Sequence, residues 1–127
     1  MVVIDTDVLI EISRGNKGII EKLSRLQVVE QIAITVFNYE EFLFGLYHKG
    51  KQEEILLGKQ WLQRIKCYDY TQKEIEETIK LRLKLQKTGK KIGPYDECIA
   101  GICLAKNEPL FTLNKKHFEK AEGLRII

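Results

Sequence analysis

The chain has 127 residues, 44% of them hydrophobic and 31% charged, and a net charge of +3. That length predicts one domain over residues 1–127 with a self-sufficient core, and the composition excludes a disordered chain. Nothing approaches the roughly 18 apolar residues of a membrane span, and no basic leader opens the chain, so a cytosolic protein without a membrane partner is expected.

In chain order, the first apolar run is "VVI" at 2–4, cut off by Asp5 and Asp7. Ile12, Ile19, Ile20, Leu23 and Leu26 then predict one or two helices interrupted near Gly15. "IAITVF" at 32–37 predicts a second strand. The helix after it carries Tyr39, Leu43 and Leu46, with Phe42 beside them, and "TVFNYEEFLFGLY" is apolar almost all round, which predicts burial. Ile55, Leu56, Trp61 and Leu62 mark a fourth helix, and "IKCYDY" around 65–70 a third strand. Ile75, Ile79 and Leu83 recur every four residues and predict the buried face of the next helix. "GPYDECIAGICLAKN" reads as a helix with Pro94 in its first turn. "PLFTL" at 109–113 and "LRII" at 124–127 complete the strands. Strands alternating with helices imply a parallel sheet covered on both faces. Ligands of such sheets bind beyond the carboxyl ends of the strands, where Asp5 lies.

Cys67, Cys98 and Cys103 contain no C-x-x-C pair and read as reduced residues, Cys98 and Cys103 as core packing. With only His48 and His117 besides, Cys/His zinc chemistry is excluded and oxygen ligands remain. Acids recur where apolar elements begin or end. Asp5 and Asp7 follow the first strand, Glu40 and Glu41 lie on the third helix, and Asp96 and Glu97 in the first turn of the "PYDECIAG" helix. Each has a bland reading. Asp7, or less readily Asp5, can cap the first helix. One of the adjacent glutamates can face solvent, and periodicity does not say which. Asp96 suits the helix dipole. If residues 5, 41 and 96 converged to about 5 Å, each pair would repel by about 3 kcal/mol at an effective dielectric of 20. A domain stable by about 5–15 kcal/mol needs protons or a divalent cation to relieve that, and Mg²⁺ or Mn²⁺ prefers such hard oxygens.

Taken in order, "VVIDTDVLI", "ITVFNYEEFLFG", "IGPYDECIAGICLAKN" and "EPLFTLNKKHF" resemble the successive motifs of the PIN domain family, specifically its VapC-type toxin ribonucleases. The glutamate four residues before a glycine selects Glu41, since Gly45 follows. The resemblance spans essentially the whole chain. It implies a three-layer α/β/α fold with a parallel sheet of about five strands. It also implies Mg²⁺- or Mn²⁺-dependent RNA hydrolysis without a small-molecule cofactor, a homodimer, and a VapB-like antitoxin that occludes the site. By position it makes Asp5, Glu41 and Asp96 the metal ligands and catalytic acids, with Thr112 orienting Asp5 or a water. Asn114 departs from the pattern, standing where the family has a fourth acid; its amide can bond a water but brings no charge. Asp7 or Glu97 is the available compensation.

Between residues 80 and 91 lie six cations (Lys80, Arg82, Lys84, Lys87, Lys90, Lys91) and no acid. A solvated face is the bland reading, but the run leads toward Asp96, so Lys87, Lys90 and Lys91 are candidate guides for RNA phosphates. Lys115, Lys116 and His117 form a second basic cluster, and Lys115 and Arg14 are further phosphate candidates. Phe42, Phe44, Tyr47 and Trp61 are each core by default, while their number hints at an apolar interface. Two rival functions stand beside the nuclease. One is an inactive RNA- or partner-binding module, favoured by Asn114. The other is a haloacid dehalogenase-type phosphatase, to which "DTDV" is similar, although Leu9 departs from that motif and the chain is short for it.

Overall fold

The computed structural model describes residues 1–127. The elements run β1 (Val2–Ile4), α1 (Thr6–Ser13), α2 (Lys17–Val29), β2 (Ile32–Thr35), α3 (Val36–Lys49), α4 (Gln52–Arg64), β3 (Lys66–Tyr68), α5 (Gln72–Lys87), α6 (Pro94–Lys106), β4 (Leu110–Phe111) and α7 (Lys115–Phe118). All strand pairs are parallel, in the order β3-β2-β1-β4.

The three-layer α/β/α arrangement follows from the alternation of side chains along a strand. Val2 and Ile4 point into a core with Val8, Leu9, Leu23, Ile34, Phe42, Leu62 and Phe111, under α1 to α4. Val3 and Leu110 point the other way, into a core with Leu81, Leu85, Ile99, Ala100, Cys103 and Phe118, under α5 to α7. Both faces are buried, so these strands read as unbroken apolar runs.

The strands are shorter than their apolar runs. Val36 and Phe37 belong to α3, because Thr35 caps that helix and ends the strand: Asn38 N donates to Thr35 Oγ1 at 3.2 Å and Asn38 Oδ1 accepts from Thr35 N at 3.0 Å. The expected fifth strand at 124–127 shrinks to one bridge between Leu110 and Ile126, held by Leu110 N to Arg125 O (2.9 Å) and Ile127 N to Leu110 O (2.8 Å).

Two helix faces differ from expectation. On α5 the buried residues are Glu74, Thr78, Leu81 and Leu85, whereas Ile75, Ile79 and Leu83 are 37%, 48% and 53% exposed. The reason is polar: Glu74 lies inside, paired with Lys106 at 3.1 Å and hydrogen-bonded by Thr71 N and Oγ1 in a capping box. On α3 only Asn38 and Phe42 are buried, and Phe44 and Tyr47 stand in solvent. Cys98 and Cys103 are core residues, as expected.

The chain leaves β1 toward β2 through α1 and α2, then returns from β3 to β4 on the far side of β1 through α5 and α6. Strand order therefore reverses at β1, and the crevice at a topological switch opens beyond the carboxyl ends of β1 and β4.

Candidate active site

Register brings the first two parts of the site together. Ile4 pairs with Phe111, so Asp5 and Thr112, each one residue further, emerge side by side at the crevice. Thr112 Oγ1 donates to Asp5 Oδ2 at 2.7 Å. The other oxygen, Oδ1, accepts from Thr6 N at 2.8 Å and from Asn38 Nδ2 at 3.3 Å. Asp5 is thus the N-cap of α1, a role that fell more readily to Asp7 in the sequence. Only 7% of Asp5 is exposed.

Asp7 turns instead toward β4. Its Oδ2 accepts from Leu113 N at 3.1 Å and lies 3.4 Å from Thr112 Oγ1. Its Oδ1 is buried with no hydrogen-bond partner. Glu41 projects from the second turn of α3 and accepts from Thr6 Oγ1 at 3.1 Å. Asp96 comes from the first turn of α6, set by Pro94 and a backbone at Gly93 with φ of +116°, and its Oδ2 lies 3.0 Å from His117 Nε2.

The carboxylates feel one another. Burial, then the charges of Asp7 and Asp96, push Asp5 up to about 7 against the lowering hydrogen bonds from Thr112 and Thr6. Asp7 is raised by burial and by Asp96, Glu41 by burial, Asp96 and Asp7, and Asp96 by burial although His117 opposes it. Asp5 is buried, Asp7 and Asp96 are half-buried and Glu41 is exposed at the edge, and in this partly desolvated crevice protons or a cation are favoured over bare charge. The donor set is all oxygen, and Asp7 Oδ1 is the kind of orphaned buried atom that a hard divalent ion satisfies. As the side chains stand, no three acidic, histidine or cysteine groups form a finished cage; Thr6, Thr112 and His117 hold the carboxylate oxygens.

The sequence profile of the PIN domain family matches residues 2–124. The chain belongs to the PIN domain family. Among PIN relatives it is 34% identical to Ribonuclease VapC1 of Methanocaldococcus jannaschii over 131 residues, covering 98% of this chain and 85% of the relative. It is 25% identical to the tRNA(fMet)-specific endonuclease VapC of Salmonella typhimurium over 97 residues, 76% of this chain and 74% of that one. Its fold matches the structure of VapBC2 from Rickettsia felis bound to a promoter DNA fragment, with a TM-score of 0.89, 25% identity and coverage of 100% and 98%.

Of the residues that the sequence singles out in this PIN domain, Asp5 and Glu41 each feel the charges of Asp96 and of Asp7, so these four lie about one crevice without closing into a cage. Asn114 is not brought in by its side chain: it is exposed, and only its backbone N–H enters the network, donating to Thr112 Oγ1 at 3.1 Å. Glu97 faces away, bonding Arg82 at 2.9 Å and accepting from Gly93 N at 3.3 Å. Lys87, Lys90, Lys91 and Lys115 are exposed. Lys90 and Lys91 line a hollow with Pro94 at the start of α6, and Arg14 pairs with Glu11 at 3.3 Å. Sequence reasoning missed Thr6, Asn38 and the bond from His117 to Asp96. The signal for Asn38 was its place three residues after the helix-capping Thr35.

Proposed function

We propose that the protein is an Mg²⁺- or Mn²⁺-dependent endoribonuclease of the VapC type, the toxin of a toxin–antitoxin pair acting in the cytoplasm. The observation that carries this reading is the group of four coupled carboxylates at the switch point. The names of the VapC relatives support RNA as the substrate.

Asp5, Asp7, Glu41 and Asp96 would hold the ion, and His117 would then yield its contact with Asp96. The bound ion supplies neutralisation of phosphate charge and activation of the attacking water. This chain's own residues do the positioning. Thr112 and Thr6 fix the oxygens of Asp5 and Glu41, and Asn38 holds the Asp5 oxygen facing α3. Lys87, Lys90, Lys91, Lys115 and Arg14 attract the RNA backbone. Water forms the new bond to phosphorus, the ribose oxygen leaves, and no covalent intermediate with the protein is required.

A VapB-like antitoxin has a fitting seat. An apolar groove of about 290 Å³ runs among Leu9, Ile12, Phe42, Leu46, Leu57 and Trp61. A smaller hollow beside it is lined by Arg14, Lys49 and Glu41 and so reaches the acidic crevice. A segment with an apolar face and an acidic or basic tip would cover the site from there. The exposed Ile75, Ile79 and Leu83 on α5 offer an apolar face for the homodimer.

The test is cleavage of total RNA and of initiator tRNA, with RNA ends sequenced. Wild-type protein should cut with Mn²⁺ or Mg²⁺ and stop with EDTA. Asp5→Asn and Asp96→Asn should each lose at least about a hundredfold in rate, as removal of a ligand implies. Equal cutting by Asp96→Asn would refute the reading. RNA binding without cutting by wild type would leave the inactive-module alternative standing.

A further inference from the structure

An aromatic side chain is fixed at the rim of the acidic crevice, and the mechanism above does not use it. Tyr95 immediately precedes Asp96 in the first turn of α6, yet half of it is exposed. Its ring rests on Phe37, with centroids 5.5 Å apart, and Phe37 is braced edge-on by Tyr70 at 5.0 Å. Its hydroxyl donates to Glu40 Oε1 at 2.7 Å, across 55 positions of sequence. Glu40 is the neighbour of Glu41, and the Tyr95 phenol feels the Glu41 charge. The ring is therefore held from behind and latched at its tip to the neighbour of Glu41, one residue before Asp96 in the chain.

Such bracing contributes a little stability to a half-exposed side chain, and it also fixes the ring's direction. A tyrosine that receives a planar ligand gains much, because its rotamer is chosen before binding. Unpaired RNA bases stack on aromatic faces whatever their identity. Resting on the nuclease reading, we propose that Tyr95 stacks on a base of single-stranded RNA next to the cut phosphodiester, with Phe37 behind it and Glu40 as its latch. Tyr95 would thus set the register of the strand over the carboxylates, and the substrate would be an unpaired loop or tail.

The test uses the full chain in an Asp5→Asn background, so that RNA survives, with a labelled single-stranded oligonucleotide followed by fluorescence anisotropy. Tyr95→Ala should bind about tenfold more weakly, the loss of one stacked base. Tyr95→Phe and Tyr95→Trp, which keep a ring but lose the hydroxyl bond to Glu40, should bind more weakly than the parent and at least about threefold tighter than Tyr95→Ala. An oligonucleotide abasic at one position should lose as much on the parent and nothing further on Tyr95→Ala. With Asp5 restored, Tyr95→Ala should raise KM with kcat within about twofold. Melting and sedimentation of each variant report on fold and assembly.

Unchanged RNA affinity in Tyr95→Ala would overturn the proposal, as would RNA binding by neither protein. So would conversion of a dimer to a monomer by Tyr95→Ala, which would assign the ring to a protein contact. The two readings separate cleanly. Cutting with a KM indifferent to Tyr95 would sink this inference and spare the nuclease, whereas ring-dependent binding without cutting would do the reverse.

Discussion

Asn38 is wholly buried, and its amide is oriented by what surrounds it. Its Oδ1 faces the Thr35 N–H and hydroxyl at 3.0 and 2.8 Å, and its Nδ2 faces Asp5 Oδ1 and Thr6 Oγ1 at 3.3 and 3.1 Å. One side chain thereby ties the end of β2 to the end of β1 and holds the most deeply buried acid of the site. Asn38→Ala should destabilise the protein by about 2–3 kcal/mol, because Thr35 N and Asp5 lose partners that water cannot replace. Cleavage should fall as well, since Asp5 and Thr6 both lose a brace. Asn38→Asp should cost still more without metal, adding a carboxylate against Asp5. Chemical denaturation beside RNA cleavage checks this, and an Asn38→Ala protein as stable as wild type would refute it. At this scale, Asp5 and Asp96 stood out as acids at element ends against apolar runs, whereas Glu41 was separated from Glu40 only by the family's spacing to Gly45. Asn38 was legible only as a capping residue three positions after Thr35; nothing in the sequence shows that its amide also reaches Asp5 and Thr6 on another element.

Helices α5 and α6 approach so closely that one position tolerates no side chain. A Cβ on Gly101 would lie 1.9 Å from Thr78 Oγ1, 2.9 Å from its Cβ and 3.0 Å from its Cα. Gly101→Ala must therefore push the helices apart, at a cost of about 1–3 kcal/mol. Thr78→Ala should relieve only part of this, because the Cβ and Cα obstacles remain. A double-mutant cycle on denaturation midpoints measures the coupling; additive effects would show that the two residues do not collide. The same packing explains which elements could be read from sequence. Strand runs and the Pro94 helix start carry local chemistry, and they fell where expected, shortened where Thr35 caps α3. The face of α5 could not be read by counting apolar residues. Its buried line is Glu74, Thr78, Leu81 and Leu85, in which a paired glutamate and a threonine bonded to Glu74 O at 2.9 Å take positions that periodicity assigned to isoleucines. The terminal run "LRII" was apolar enough for a strand, yet only one bridge forms there.

Across the whole molecule, the acidic crevice ties stability to pH and to metal in a direction opposite to that of most carboxylates. Asp5, held near 7 by burial and by its neighbours, keeps a proton that the unfolded chain would release at about pH 4. Between those values the folded state binds more protons than the unfolded one, so stability falls as pH rises and levels off above about 7. Asp7, Glu41 and Asp96 are raised and act in the same sense. Glu74, held down near 2 by Thr71 and Lys106, acts the other way, and its contribution disappears as the solution is acidified below about 4.5. Metal-free protein should therefore be most stable near pH 4 and lose a few kcal/mol by pH 8, at about 1.4 kcal/mol per pH unit for each fully linked group. Adding Mn²⁺ at pH 8 should restore stability by about 2.7 kcal/mol at a hundredfold excess over Kd, whereas at pH 5 protons compete and the gain should be small. Asp5→Asn should flatten the pH profile and reduce the response to the ion together. Unfolding curves from pH 4.5 to 8.5, with and without Mn²⁺, decide the matter. Greatest metal-free stability at pH 8, or an undiminished Mn²⁺ response in Asp5→Asn, would mean that the four acids do not share one charge-starved crevice.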